Sequence, residues 1–411
     1  METFLQQAKA SSRILATLDS KKKNQILNEM ADALEANSAR IEEKNSIDMS
    51  EGKSNGLSSA LMDRLFLDTT RISAMATAIR EIASMPDPIG RVLDGWVTED
   101  NLKIEKISVP IGVIGIIYES RPNVTSDTAA LCFKSSNVCV LKGGKEAENS
   151  NQVIAAVLQD VLQKNNLPKE MISLLPDSSR EGVANLIKQD AYVDLIIPRG
   201  GEALIRYVNQ NASVPVVKHD KGLCHIYVDK EAQIESTLDI LINAKTQRPG
   251  VCNAMETVLI DQDIAAGFLP AMKAVFDQTG TLLKGCETTR KHIDVIEATD
   301  EDFHTEYLDN ILNVRVVNGV DEAIEHIATY GSGHSESILS ENYNTINKFL
   351  DRVDASSVYA NASTRFTDGG SFGFGAEVGI STNKLHARGP MGIEGLTTYK
   401  FKIYGSGQIR K

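Results

Sequence analysis

Cys252 is the residue of this sequence best suited to act as a nucleophile. It lies in the stretch Gln247–Asn253, between a Pro-Gly turn and an apolar segment. A thiolate on such a loop would be the strongest nucleophile available, provided that its pKa falls below about 8.5. Lys245 and Arg248 could supply the positive field that this requires. A buried, unreactive cysteine is the alternative. That alternative suits the two cysteines that lie within apolar helix and strand patterns, Cys132 and Cys139.

A second group of polar residues, 119–125, directly follows the apolar run Val113–Tyr118. Within it, Asn123 offers an amide N–H that could stabilise an oxyanion, an interaction typically worth about 10²–10³ in rate. The same residue could instead cap a helix that begins near Thr125. The local pattern leaves both interpretations open.

Two glycine turns that carry cations could bind phosphate. They are Lys142-Gly143-Gly144-Lys145 and Arg199-Gly200-Gly201, and each follows an apolar run. Glycine allows the backbone to approach a phosphate closely, and the cations add a favourable charge. Neither turn has the spacing of a Walker lysine or of G-x-G-x-x-G, which disfavours an ATPase and a standard dinucleotide fingerprint.

The histidines and cysteines predict neither a metal site nor a disulfide framework. The seven histidines are scattered, and no H-x-x-x-H or H-E-x-x-H spacing occurs. The five cysteines are odd in number and widely spaced. With polar residues interrupting the first segment, no export signal is predicted, and we expect a cytoplasmic protein. The formal net charge of −12 disfavours a nucleic-acid or anionic-membrane binder.

The elements that must position these residues show an alternation of strand and helix patterns from Val109 onwards. Such alternation predicts an α/β fold with parallel sheets, whose ligands lie beyond the carboxyl ends of the strands. The first eighty residues have a helical pattern that ends at Pro86-Asp87-Pro88. A hairpin arm follows, with apolar runs on either side of the turn Thr98–Asn101. The first four predicted strands after it are Val113–Tyr118, Asn137–Leu141, Met171–Leu175 and Tyr192–Ile197.

Several motifs resemble those of the aldehyde dehydrogenase superfamily. They are Pro110–Gly115 followed by Asn123, Lys142 at the end of the next strand, and the isolated Cys252. More narrowly, longer stretches along essentially the whole chain are similar to the γ-glutamyl phosphate reductase family. These stretches are Tyr118–Thr125, Asn243–Pro249, His334–Ile338, Asn361–Gly370 and Leu385–Gly392.

The resemblance implies an aldehyde-dehydrogenase-like fold: a Rossmann-like parallel-sheet cofactor domain, an α/β catalytic domain and an oligomerisation hairpin arm. Because an isolated hairpin is marginal in water, the arm predicts a homodimer or a dimer of dimers. The implied boundaries are 1–90 and 107–228 for the cofactor domain, 229–375 for the catalytic domain, 376–396 for a return to the cofactor domain, and 91–106 with 397–411 for the arm.

The resemblance also implies an activity, the NADPH-dependent reduction of L-glutamyl 5-phosphate to L-glutamate 5-semialdehyde and phosphate. This is the second step of proline biosynthesis from glutamate, with a separate glutamate kinase as the supplier of the substrate. Cys252 falls on the nucleophile that forms a thioester, and Asn123 falls on the amide of the oxyanion hole. Glu306 falls on the carboxylate that binds the nicotinamide ribose.

The implied binding residues fall into two sets. Lys145 occupies a position where relatives that prefer NAD carry a glutamate, and a cation there favours the 2′-phosphate of NADP. The cofactor set is Lys142, Gly143, Lys145, Arg199, Gly200, Gly201 and Glu306. The substrate carries two anionic groups, for which the implied cations are Arg121, Lys245, Arg248 and Arg365.

Two alternatives to a reductase remain at this stage. The stretch Val217–Gly222 lacks the glutamate that activates water in hydrolytic aldehyde dehydrogenases, although His219 or Asp220 could replace it in an NAD-dependent hydrolytic enzyme. A catalytically inactive dinucleotide-binding or scaffold protein is the other alternative. The intact set Cys252, Asn123 and Glu306 argues against it.

Overall fold

The computed structural model describes residues 1–217 and 221–410. Two parallel sheets, of four and seven strands, dominate that part of the chain, together with two smaller antiparallel sheets. The predicted α/β class is therefore confirmed. Within the described ranges, no helix is long and apolar enough to cross a lipid bilayer.

The first part of the chain is a layer of helices, as the sequence predicts. Ile26, Met30 and Leu34 are fully buried along one face of the second helix. Its first turn is capped by the Asp19 carboxylate, which accepts the Lys22 backbone N–H at 2.7 Å. The five helices of the layer are α1 (Glu2–Leu15), α2 (Ser20–Ala36), α3 (Ser38–Ser54), α4 (Ser59–Leu65) and α5 (Thr69–Ser84).

The predicted hairpin arm is present. Strand β1 (Val92–Val97) pairs antiparallel with β2 (Lys103–Pro110). Asn101 adopts the left-handed conformation (φ 59°) in the turn between them, which suits the short polar side chain of asparagine.

The four-stranded parallel sheet places polar residues at the carboxyl ends of its strands. Its strands are β3 (Val113–Tyr118), β4 (Val138–Lys142), β5 (Ile172–Leu174) and β6 (Leu195–Arg199), in the order β5-β4-β3-β6. The helices that follow these strands are α6 (Asn123–Lys134), α7 (Glu148–Lys164), α8 (Arg180–Leu186) and α9 (Glu202–Asn211). As a result, Glu119, Lys142 and Arg199 lie at one edge of this sheet.

The seven-stranded sheet is also parallel throughout, in the order β10-β9-β11-β8-β7-β12-β13. Its strands are β7 (Cys224–Val228), β8 (Met255–Asp261), β9 (Leu282–Gly285), β10 (Ile296–Glu297), β11 (Ile311–Val317), β12 (Ser335–Leu339) and β13 (Ser357–Ala360). Its helices are α10 (Ile234–Thr246), α11 (Gln262–Gln278), α12 (Glu287–Arg290), α13 (Asp300–Phe303), α14 (Gly319–Tyr330) and α15 (Tyr343–Arg352).

The last part of the chain returns to elements formed much earlier. Strands β14 (Ile380–Ser381) and β15 (Gly389–Pro390) pair antiparallel, and β16 (Thr397–Tyr404) then pairs antiparallel with β2. The pairing of the tail with the arm was expected from the sequence. Val378 and Met391 are buried in the same core cluster as β3 and β4.

One predicted boundary differs from the structure. The cofactor domain was predicted to extend to residue 228, but β7 (Cys224–Val228) pairs with β8 and β12 in the seven-stranded sheet. Sheet membership therefore puts this boundary before Cys224. The strand is apolar and directly follows the first alternating region, so the pattern alone could not assign it to a sheet.

Candidate active site

A cleft of about 990 Å³ is lined by residues from both parallel sheets. It brings together most of the residues for which the sequence predicted chemistry. Those in the cleft are Arg121, Arg199, Gly200, Gly201, Arg248, Cys252, Glu306 and Arg365.

Cys252 is positioned by backbone contacts on the loop between α10 and β8. Its carbonyl oxygen accepts a hydrogen bond from the Cys224 thiol at 3.2 Å. Gly222 lies directly against it: a Cβ at residue 222 would be 2.0 Å from the same oxygen. The loop therefore depends on a glycine at 222, since any side chain there would displace the backbone of the nucleophile.

The charge environment of Cys252 is mixed. Burial raises the pKa of the Cys252 thiol to about 11, and the carboxylates Glu306 and Glu377 act in the same direction. Arg199 opposes them, as does the backbone N–H of Cys252 itself. In the free protein, the thiol therefore stays protonated at neutral pH.

Arginines dominate the rest of the cleft. Burial lowers the pKa of Arg121, and the neighbouring Arg64, Arg199 and Arg248 lower it further. The pKa of Arg365 is also lowered, mainly by burial and next by the charge of Arg248. None of these five arginines forms an ion pair with a carboxylate in the described part of the chain. Arg365 donates to the Gln247 Oε1 at 2.9 Å instead. Cations gathered without carboxylate partners in this way suit the binding of an anion.

Glu306 lies on the segment between α13 and β11. Its Oε1 accepts the Gly222 backbone N–H at 2.9 Å. Burial raises the pKa of this carboxyl, an effect that the Gly222 N–H and Lys221 oppose. Gly222 therefore contacts both Glu306 and Cys252, which holds these two side chains in a fixed relation.

The structure does not bring Asn123 into the cleft. Its amide donates to Asp127 Oδ2 at 2.9 Å, and its side chain lines a separate cavity of about 250 Å³. Asn123 is the first residue of α6 and makes no capping hydrogen bond, so the cap interpretation is wrong. For an oxyanion role, the amide would first have to leave Asp127.

The prediction that Lys245 contacts substrate is contradicted by the geometry. Its side chain is fully buried, and its Nζ lies 2.8 Å from Glu256 Oε2. The last turn of α10 directs this side chain towards β8 instead of the cleft. Spacing along the sequence could not show that direction.

Three residues of the predicted cofactor set lie outside the cleft, at the carboxyl end of β4. Lys142 is half-buried there, and Lys145 is exposed one turn further on. A Cβ at Gly143 would be 2.1 Å from Asn151 Nδ2, so this turn also requires glycine. The predicted cofactor residues thus form two groups on neighbouring strands.

Sequence reasoning missed several charged residues of the cleft, among them Arg64 and Glu377. Arg64 lies on α4. Glu377 accepts the Gly369 backbone N–H at 2.9 Å. No motif marks either residue. His219 and Asp220, the alternative bases, lie outside the described residues.

The donors in these two groups fit a dinucleotide. Gly200 and Gly201 leave backbone exposed at the start of α9, which suits a pyrophosphate. The Glu306 carboxylate suits ribose hydroxyls, and the ammonium groups of Lys142 and Lys145 suit a further phosphate. Among the described residues, no group of three metal-ligating side chains is placed to hold a metal ion.

The aldehyde dehydrogenase family model matches residues 1–289 of this chain. An acetylating aldehyde dehydrogenase from Geobacillus thermoglucosidasius shares the fold, with a TM-score of 0.69 and 19% identity over 100% of this chain and 97% of that one. The chain belongs to the aldehyde dehydrogenase family and is an oxidoreductase that uses a nicotinamide cofactor.

More similar relatives narrow the assignment. The chain is 70% identical to the γ-glutamyl phosphate reductase of Sulfurimonas denitrificans and 67% identical to that of Aliarcobacter butzleri, over 100% of each chain. The crystal structure of the Thermotoga maritima γ-glutamyl phosphate reductase has a TM-score of 0.98 and 45% identity, covering 100% of this chain and 99% of that one. Within the family, the chain is one of the γ-glutamyl phosphate reductases, which act in proline biosynthesis.

Proposed function

We propose that this chain reduces L-glutamyl 5-phosphate to L-glutamate 5-semialdehyde and phosphate, with NADPH as the reductant and a cysteinyl thioester as the intermediate. The observation that carries the proposal is the cleft itself, which places Cys252 among five arginines that have no carboxylate partner. A substrate with both a phosphate and a carboxylate supplies the missing anions.

The arginines would bind the two anionic ends of the substrate. Arg121 and Arg365 both lie within electrostatic reach of Cys252, and Arg248 faces them both. A guanidinium binds a carboxylate or a phosphate through two parallel hydrogen bonds, which orients the substrate as well as holding it. Glu377 is the carboxylate that we assign to the α-ammonium group, because it lines the same cleft beside Arg199.

Cys252 would attack the acyl carbon as a thiolate. Arg199 and the Cys252 backbone N–H favour the ionised sulfur and oppose the effect of burial. Attack forms the S–C bond, the C–O bond to phosphorus breaks, and phosphate leaves with that electron pair. The cations that bound the phosphate in the substrate also stabilise it as it leaves.

The second group of residues would hold the cofactor. When bound, the reduced nicotinamide supplies the hydride that converts the thioester to the semialdehyde and frees the sulfur. Glu306 would hold the ribose next to Cys252. Lys142 and Lys145 would bind the 2′-phosphate, so we expect NADPH to be preferred over NADH.

The test runs the reaction in reverse. Purified protein is given glutamate 5-semialdehyde and NADP⁺, with and without phosphate, and NADPH formation is followed by absorbance. We expect turnover that requires phosphate and that is lost in Cys252→Ala. Cys286→Ser is the matched control. Cys286 is half-buried, as Cys252 is, and it lies outside the cleft.

Two outcomes would contradict the proposal. Turnover to the free acid without phosphate would indicate a hydrolytic aldehyde dehydrogenase. An absence of turnover under all conditions, with a folded protein, would favour an inactive dinucleotide-binding protein. Because glutamyl phosphate is labile, we further propose that a separate glutamate kinase supplies it.

A further inference from the structure

A buried ion pair closes the base of the Cys252 loop. Lys245 lies in the last turn of α10, and Glu256 is the second residue of β8, so the whole Cys252 loop lies between them. Their side chains are 0% and 1% exposed, and Lys245 Nζ lies 2.8 Å from Glu256 Oε2. Neither residue lines the cleft. The pair therefore acts on the nucleophile only through the loop that it closes.

The same carboxylate also reaches the Glu306 segment. Glu256 Oε1 accepts the Leu308 backbone N–H at 3.4 Å. Leu308 has φ 52°, the left-handed conformation that leucine rarely adopts. Gly250 of the Cys252 loop also packs there, because a Cβ at residue 250 would be 3.5 Å from the Leu308 carbonyl oxygen. One carboxylate thus links the nucleophile loop to the segment that carries Glu306.

Placing an ion pair in this buried space has a cost in free energy. Removing two charges from water costs several kcal/mol per ion, and apolar residues of the same volume are often equally stable. Stability alone therefore does not account for a lysine and a glutamate here. Compared with two methionines, the ion pair has a defined distance and direction between its charged groups. It also provides a second carboxylate oxygen, which accepts the Leu308 N–H.

We infer that Lys245 and Glu256 are positioning residues that set the distance between Cys252 and Glu306. Since Glu306 is assigned to the cofactor ribose, this inference rests on the proposed function. The pair keeps the thioester carbon within reach of the nicotinamide without touching substrate or cofactor. Its loss should therefore affect hydride transfer and cofactor binding, while the arginine site for the substrate stays intact.

Two variants test the inference: Glu256→Gln, which keeps shape and removes charge, and the apolar double variant Lys245→Met/Glu256→Met. For both we expect kcat to fall at least tenfold and the Kd for NADPH, from its fluorescence on binding, to rise at least fivefold. The KM for the semialdehyde should change less than twofold. The double variant should keep a Tm within a few degrees of wild type, since no charge is left unpaired.

The matched control is another buried pair, Lys23 and Asp87. Lys23 is 1% exposed, and its Nζ lies 2.6 Å from Asp87 Oδ2, in the helical layer outside the cleft. Lys23→Met/Asp87→Leu likewise leaves no charge unpaired, and it should change neither kcat nor NADPH affinity. A double variant at 245 and 256 with wild-type kcat and NADPH affinity would overturn the inference.

If the double variant fails to fold, kcat and the Kd for NADPH of Glu256→Gln test the inference instead. The proposed function fails separately, since a wild-type protein without phosphate-dependent turnover would contradict it. NADPH binding still tests the pair in that case.

Discussion

Cys252 lies where burial opposes its ionisation and the arginines favour it. The balance in the free protein keeps the thiol protonated, with a pKa of about 11. Cys286 is the useful comparison: although burial acts against it, hydrogen bonds from Thr289 hold its thiol pKa below the ordinary value. In the free protein, Cys286 is therefore the more readily ionised of these two cysteines, although Cys252 is the proposed nucleophile.

A pH profile of alkylation checks this balance. In the free protein, we expect the rate of Cys252 alkylation by iodoacetamide to keep rising through pH 9, because the thiolate is formed only near pH 11. Cys286 should react at lower pH. Arg199→Met should slow Cys252 at pH 8 several-fold, since it removes the charge that lowers this pKa.

Peptide mass spectrometry separates the two cysteines in that experiment. Arg352→Met is the control, because Arg352 is exposed on α15, pairs with Asp321 and does not line the cleft as the described residues form it. A plateau in the Cys252 rate below pH 8 would show that the thiol is already ionised in the free protein.

Arg121 gives a second prediction for a single residue. Arg121→Met should lower kcat/KM for the semialdehyde and phosphate by about 10–100-fold, the amount expected when a hydrogen bond to a charged group is lost. This kcat/KM is measured from steady-state rates in which the concentrations of both substrates are varied. Arg352→Met again serves as the control, and an unchanged kcat/KM in Arg121→Met would remove Arg121 from the substrate site.

At the scale of elements, the four predicted strands given above overlap β3, β4, β5 and β6, whereas the pattern marks neither β9 nor β10. β3 is a continuous, buried run and lies where the pattern indicated. β9 and β10 have four and two residues, too few for any periodicity to appear. Such short strands form because neighbouring strands supply hydrogen-bond partners, and that information is not local.

The site divides in the same way. Residues at strand ends, such as Arg199, could be predicted because parallel strands deliver their carboxyl ends to one edge. The position of Lys245 could not be predicted, because it depends on the direction in which the last turn of α10 points this side chain. Arg64 could not either, because it comes from a helix with no predicted relation to the sheet.

A prediction for the Cys252 loop follows from the contact that Gly222 makes with it. Gly222→Ala should lower kcat at least tenfold, because the new methyl group would collide with the Cys252 backbone. Gly267→Ala is the control: nothing lies within 4 Å of a Cβ there, in the interior of α11, so we expect a gain of about 1 kcal/mol in unfolding free energy and unchanged kcat. Wild-type kcat in Gly222→Ala would mean that the loop adapts freely.

At the scale of the whole molecule, the arm exposes apolar side chains on both outer strands. Val97 on β1 is 64% exposed and Ile403 on β16 is 59% exposed. Such a surface is typical of contacts between subunits. We therefore propose that the arm joins two copies of the chain, as a dimer or a dimer of dimers.

Light scattering after size exclusion tests the arm. Val97→Glu/Ile403→Glu should shift the protein from oligomer to monomer, because each dimer contact would bury four unpaired carboxylates. Ile296→Glu, at an isoleucine on β10 that is 51% exposed, should leave the mass unchanged. An arm variant with the wild-type mass would place the interface elsewhere.

The return of the tail to the first core has a consequence for how the chain is made. Val378, Met391 and Leu396 complete the core of a sheet whose strands leave the ribosome some two hundred residues earlier. Until those residues have been synthesised, part of the apolar surface of that sheet stays uncovered. A nascent chain stalled before residue 376 should therefore be a target for chaperones, even though all four strands of the sheet have been synthesised.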